Sequence, residues 1–166
     1  QGQRLLEQLP DKAGTPPIAL HPYATHPDKA WKEAYWRQLM ELFESRGIPW
    51  IVIGRGSGME GIPASRNFTN RTSLRETCAL LKSSSLLITG DSGPMHLAGA
   101  VGTPVLALFG PTTEEWGFFP AGPKDRVLES QLDCRPCTLH GKKHCDRNHA
   151  CMQSITPEQV MRALDE

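Results

Sequence analysis

No apolar run in this chain approaches the ~20 residues needed to span a bilayer; the longest, 48–53 and 104–109, have strand length. The start, Gln1-Gly2-Gln3-Arg4-Leu5-Leu6, lacks the charged and apolar regions of a secretory signal. It also lacks an initiator methionine, so the chain is expected to be a piece of a longer one. Excess charge of either sign is missing too, with lysine plus arginine and aspartate plus glutamate both at 18. That balance provides no general positive field for holding nucleic acid. Internal repeats and low-complexity tracts are absent. Cysteines number five, an odd count that argues against a complete disulfide framework and for a reducing cytoplasm. What remains is a chain of 166 residues, 39% hydrophobic and 22% charged. That is ordinary for a globular protein and enough for one domain with its own core.

Strand and helix patterns alternate along the chain. Residues 1–17 read as a short helix and a Pro/Gly linker ending in Thr15-Pro16-Pro17, and 18–166 as the folded domain. Short continuous apolar runs at 18–21, 49–53, 86–89 and 104–109, with a last strand at 126–129, predict strands buried on both faces. Trp31, Tyr35, Leu39, Leu42 and Phe43 recur at helical spacing over 31–46, closed by Gly47. A capping box, Ser73-Leu74-Arg75-Glu76, opens a helix expected to bury Leu74, Cys78 and Leu81. Residues 94–101 predict a short helix. Thr156 and Pro157 cap and open a C-terminal one. The fold class is therefore α/β: a Rossmann-like parallel sheet with helices on both faces.

In such a sheet, ligands bind beyond the carboxyl ends of the strands. Thr89-Gly90-Asp91-Ser92-Gly93-Pro94-Met95-His96 lies at such an end, between a strand and a helix. Gly90 and Gly93 allow a sharp turn close to a ligand, and Pro94 suits a first helical position. The helix N-terminus offers unpaired N–H groups and about half a positive charge to a phosphate. His96, in the first turn, leans toward the same anion. Asp91 would repel a phosphate placed on it and is better suited to accept hydrogen bonds from sugar hydroxyls. Taken singly, each residue reads more simply as a cap or a solvated polar group; together they form an anion-binding turn that also carries a carboxylate.

The stretch from Gly90-Asp91-Ser92-Gly93-Pro94-Met95-His96 through Phe109-Gly110-Pro111-Thr112 resembles the signature of the glycosyltransferase family 9 heptosyltransferases. Asp28-Lys29-Ala30-Trp31 is similar to the family's Lys-x-Trp element. Cys134-Arg135-Pro136-Cys137, Cys151-Met152 and Ile155-Thr156-Pro157-Glu158-Gln159-Val160 look like its C-terminal block. The resemblance implies two Rossmann-like domains facing across a cleft (the GT-B arrangement), this chain being the C-terminal, donor-binding one. It implies an inverting transfer of heptose from ADP-heptose to the lipopolysaccharide inner core. The general base is an aspartate of the other domain, so no catalytic residue is expected here and this piece alone should not turn over.

By the same resemblance, Lys29 neutralises the donor diphosphate and Thr25 supplies a hydroxyl beside it. Asp91 faces the sugar, Ser92 and Gly93 offer backbone donors, and His96 sits in the first turn. Glu60, after the loop Gly54-Arg55-Gly56-Ser57-Gly58-Met59-Glu60-Gly61, is a candidate for the ribose hydroxyls by analogy with other Rossmann sites. Serine stands at 92 where the family more often has threonine, and lysine at 32 where proline is typical. Other nucleotide-sugar enzymes on the same scaffold, an epimerase or a hexosyltransferase, are the alternative, as is a non-catalytic nucleotide-binding module.

Cys134, Cys137, Cys145 and Cys151 form C-x2-C-x7-C-x5-C with His144 and His149 interleaved, a pattern open to a tetrahedral zinc site. The second half lacks the tight pairing of a zinc ribbon. Structural thiols are therefore the favoured reading, no cofactor is expected, and zinc is the alternative. Cys78 is expected in the core. Arg135, Lys142, Lys143 and Arg147 against Asp133 and Asp146 give the same loop a basic excess. It is read as solvated, with a peripheral contact to the inner membrane or the acidic acceptor as the other option.

Overall fold

Five runs of sequence become five parallel strands: β1 (Ile18–His21), β2 (Trp50–Val52), β3 (Leu86–Gly90), β4 (Val105–Phe109) and β5 (Arg126–Glu129). Their order across the sheet is β2-β1-β3-β4-β5. In the computed structural model residues 7, 14–116, 118–137 and 144–166 are described. Most of the expected helix at 1–17 lies outside the described residues, as do Lys142 and Lys143. The register pairs Ala19 with Ile51 on one side and with Leu87 on the other. β1 to β4 are buried at almost every position, as their unbroken apolar runs predict.

Helices cover both faces. On one lie α1 (Glu33–Arg46), α4 (Ala150–Gln153) and α5 (Pro157–Asp165), where Trp36, Leu39, Phe43, Met152 and Val160 pack on Leu20, Val52, Ile88 and Leu106. On the other lie α2 (Leu74–Lys82) and α3 (Gly93–Val101), where Leu80, Leu81, Met95 and Ala98 pack on Ala19, Ile51, Leu87 and Ala107. Each fully buried Leu, Ile or Phe contributes roughly 1.5–3 kcal/mol. No helix among the described residues is long and apolar enough to cross a membrane.

Three expectations need correction. Helix α1 begins at Glu33, not at 31, because Ala30 and Lys32 are extended and Trp31 enters the core. The Trp31 indole N–H donates to the Ile155 carbonyl at 2.8 Å. The buried stripe of α1 is accordingly Trp36, Leu39, Met40 and Phe43, with Tyr35 and Leu42 at its edges. In α2 the capping box forms as expected, but the helix turns a different face inward. Thr77, Leu80 and Leu81 are buried, Cys78 is only half-buried, and Leu74 is 68% exposed. The buried hydroxyl pair Thr72–Thr77, 2.9 Å apart, fixes that rotation.

Candidate functional site

The strand order reverses direction between β1 and β3, and such a switch point is where a doubly wound sheet opens a crevice for a ligand. A cleft of about 430 Å³ opens there, lined among others by His21, Tyr23, Thr25, Gly54, Ser92 and Pro94. Two other depressions of similar size lie elsewhere. One sits beyond the outer strand against α5, and the other at the amino ends of the strands, where this fold does not place ligands.

Three segments meet at the cleft. The first follows β1: Thr25 is exposed on the cleft wall, and a 3-10 turn, Pro27–Lys29, presents Lys29. The second is the turn from β3 into α3. Lys29 Nζ donates to Asp91 Oδ2 at 2.5 Å, their side chains only 14% and 11% exposed. A Cβ added at Gly90 would lie 3.4 Å from the Lys29 carbonyl, in ordinary van der Waals contact, so the two segments run close together there. Thr112, fully buried in the loop after β4, donates its hydroxyl to the same Asp91 oxygen at 3.2 Å. Lysine and carboxylate, 62 residues apart in sequence, form one ion pair.

Ser92 is the N-cap of α3, yet its hydroxyl does not cap the helix. It turns inward to Thr89 Oγ1 at 2.8 Å and His21 Nδ1 at 3.3 Å. No side chain therefore caps α3; Pro94 has no N–H and the Met95 N–H donates to the Ser92 carbonyl at 3.2 Å, which leaves the Gly93 N–H as the amide facing outward at that end. Gly93 is exposed at that end, and His96 is exposed one turn on, away from the cleft lining.

The third segment is the glycine-rich loop. Its Gly56 N–H donates to Asn70 Oδ1 and its carbonyl accepts from Asn70 Nδ2 at 2.9 Å, pinning the loop over Tyr23. The Tyr23 hydroxyl is 2.6 Å from Thr69 Oγ1. Burial, and after it the nearby Glu60 charge, raise the phenol's pKa, while the bond to Thr69 opposes them. Glu60 itself is exposed outside the cleft lining, its carboxylate accepting from the Gly58 N–H at 3.1 Å.

Sequence reasoning assigned His21, Tyr23, Thr112 and Arg135 no part in the donor site. The signal for His21 was available: a histidine closing a parallel strand stands where ligands bind. His21 is 6% exposed, 3.1 Å from Thr89 Oγ1 and edge-on to Tyr23. Burial lowers its pKa from 6.5 to about 4. Between those values the unfolded chain binds a proton that the folded one does not, so stability rises with pH through that window. It is fully present above about 6.5 and lost as pH falls toward 4, by roughly 3 kcal/mol for a shift of this size. Thermal melts at pH 7 and pH 5 should show this slope for wild type and a flatter one for His21→Gln; equal slopes would contradict it.

All five cysteines are free thiols, and only Cys151 is buried. Among the described residues no three His, Cys, Asp or Glu side chains lie close enough together to hold a metal ion. Burial raises the Cys151 pKa, with the Cys137 and Cys145 thiols adding to it. The loop's Arg147 pairs with Asp133 at 2.6 Å and is exposed.

A family model described as glycosyltransferase family 9 (heptosyltransferase) matches residues 1–146. Among curated relatives, a lipopolysaccharide heptosyltransferase 1 from Pseudomonas aeruginosa is 35% identical over 153 residues, 84% of this chain and 40% of its own length. Among solved structures, E. coli ADP-heptose lipopolysaccharide heptosyltransferase II has a TM-score of 0.71 at 22% identity, over 99% of this chain and 50% of that one. TibC, a dodecameric iron-containing heptosyltransferase from enterotoxigenic E. coli solved with ADP-D-beta-D-heptose, has a TM-score of 0.72 at 23% identity, over 95% and 46%. The chain spans 30–52% of the length of the first curated relatives it matches.

Proposed function

Because the chain belongs to glycosyltransferase family 9, we propose that residues 18–166 are the donor-binding domain of an inverting heptosyltransferase. It would move heptose from ADP-heptose to the inner core of lipopolysaccharide on the cytoplasmic side of the membrane, with residues 1–17 as a linker. The observation that carries this reading is that the Lys29–Asp91 ion pair, itself outside the cleft lining, stands beside the N-terminus of α3, which no side chain caps and which does line the cleft, at the carboxyl end of the sheet.

In this reading the diphosphate lies against the Gly93 end of α3, within reach of Thr25 and Lys29. As the glycosidic bond breaks, negative charge grows on the diphosphate. A lysine ammonium and helix amides fixed beforehand stabilise that charge without reorganising. They supply the positive charge the leaving group needs from the protein itself, so no cofactor is assigned. Asp91 faces the other way, to the sugar hydroxyls, which a carboxylate accepts readily. Ser92 contributes its backbone, since its side chain is committed to Thr89 and His21. His96 is assigned to the outer rim of the anion site, and Glu60 to the ribose. The base that deprotonates the acceptor is assigned to the other half of the enzyme. This chain alone should bind donor without turning it over.

Calorimetric titration of the chain with ADP, UDP and ADP-heptose tests the proposal. Binding of both adenine nucleotides with little response to UDP is expected. Tight UDP binding without any response to ADP would overturn it. An Asp91→Ala chain that kept full ADP-heptose affinity would remove the carboxylate from the sugar site.

A further inference from the structure

The cysteine loop does not stand apart from the donor site. Arg135, between Cys134 and Cys137, is 4% exposed and reaches four acceptors. Its guanidinium donates to the carbonyls of Gly110, Ser130 and Thr112 and to Glu129 Oε2, the last two at 3.0 and 2.6 Å. The Cys137 N–H adds a bond to the Pro111 carbonyl at 3.0 Å. From below, Met152 and Cys151 fill the space over Gly110, where an added Cβ would lie 2.4 Å from the Met152 sulfur. The loop 110–112 is thus clamped on three sides by the cysteine block, and its Thr112 hydroxyl is the group that meets Asp91.

Asp91 Oδ2 accepts from both Lys29 and Thr112, while among the described residues no donor meets Oδ1. Two donors on one oxygen fix the carboxylate plane and leave the other oxygen for a ligand hydroxyl. We propose that Thr112 is a positioning residue for the sugar: held by Arg135, it aims the Asp91 carboxylate, and the cysteine loop thereby sets discrimination between a sugar nucleotide and the bare nucleotide. This rests on the reading that Asp91 faces the sugar. A fixed second donor matters because Lys29 alone is a point charge on a flexible stem and cannot set the carboxylate's plane.

The test compares ADP-heptose and ADP affinities of wild type, Thr112→Val and Thr112→Ser in the full chain, with thermal midpoints. Valine keeps the threonine's shape and removes its donor. Loss of a hydrogen bond to a charged group predicts about tenfold weaker ADP-heptose binding. ADP affinity should stay within about twofold of wild type, and serine should restore most of the loss. Arg135→Lys, unable to span four acceptors, should shift the same affinity ratio in the same direction. The ratio is read on folded molecules, so it survives a moderate loss of stability. A Thr112→Val chain with wild-type affinity for both ligands overturns the proposal alone. Equal losses for ADP and ADP-heptose, or no rescue by serine, also overturn it, because they mark a structural role. A wild-type chain that takes neither ligand overturns the donor reading, and the positioning role with it.

Discussion

A Lys29→Ala chain should bind ADP and ADP-heptose about ten- to a hundredfold more weakly than wild type. That is the range for losing a charge-assisted hydrogen bond to a phosphate. Two effects act together. The ammonium that would face the diphosphate is gone, and Asp91, 11% exposed, loses the partner that sits 2.5 Å away. Its carboxylate then presents an uncompensated negative charge to the proposed diphosphate. Removing one member of a nearly buried pair usually costs more than the pair contributes, because the survivor stays desolvated.

The double variant Lys29→Ala/Asp91→Asn separates the two effects. It should recover part of the lost ADP affinity while gaining nothing for ADP-heptose, since the carboxylate proposed to face the sugar is gone as well. A Lys29→Ala chain that bound ADP as wild type does would place the diphosphate elsewhere in the cleft. Because both side chains are largely shielded from solvent, the pair should respond less steeply to added salt than surface ions do.

Much of the architecture was legible because it rests on local signals. Strands β1 and β5 run over the expected residues, since short apolar stretches bounded by Pro22 or by charged turns leave little choice. The C-terminal helix starts at Pro157 behind Thr156, whose hydroxyl accepts from the Gln159 N–H as a capping residue should. The turn from β3 into α3 was legible for the same reason: Gly90, Ser92, Gly93 and Pro94 lie within five positions, and the conformations they favour are their own.

What escaped the sequence is whatever depends on distant partners. Lys29 and Asp91 each suit a donor site, but nothing local shows that they pair with one another before a donor arrives. Ser92 looked like a cap; its hydroxyl instead bonds Thr89 and His21, the latter 71 positions away. The face of α2 was misread because its periodicity allows two stripes, and a buried Thr72–Thr77 contact chose the one without Leu74. Arg135 sits in a loop whose basic excess reads as solvated, yet it is among the least exposed charges because four acceptors from three loop positions and β5 surround it.

Gly54→Ala should be the most damaging single-atom addition to the site. Gly54 follows β2 at φ +115°, a backbone conformation that an L side chain rarely adopts. Forcing alanine there costs about 1–3 kcal/mol in strain. The new Cβ would also lie 2.4 Å from His21 Cδ2 and 3.0 Å from Tyr23 Cδ2. Neither ring can give way freely: His21 is held by Thr89 and Ser92 at 3.1 and 3.3 Å, and Tyr23 by Thr69 at 2.6 Å. Overpacking of that kind adds about 1–3 kcal/mol. Together these lower the thermal midpoint of a chain this size by roughly 10 °C. Moving His21 would also release the Ser92 hydroxyl, which could then turn outward and cap α3, competing with the phosphate proposed to lie at that end. Nucleotide affinity should therefore fall along with stability. Gly99→Ala, in α3, is the matched control. Its Cβ meets nothing within 4 Å, and alanine in a helix is favoured over glycine by about 0.8–1.0 kcal/mol, so that variant should melt slightly above wild type and bind unchanged. A Gly54→Ala chain melting within a degree or two of wild type would show that the ring contact around His21 yields without cost, and the rigid support of the donor turn would have to be abandoned.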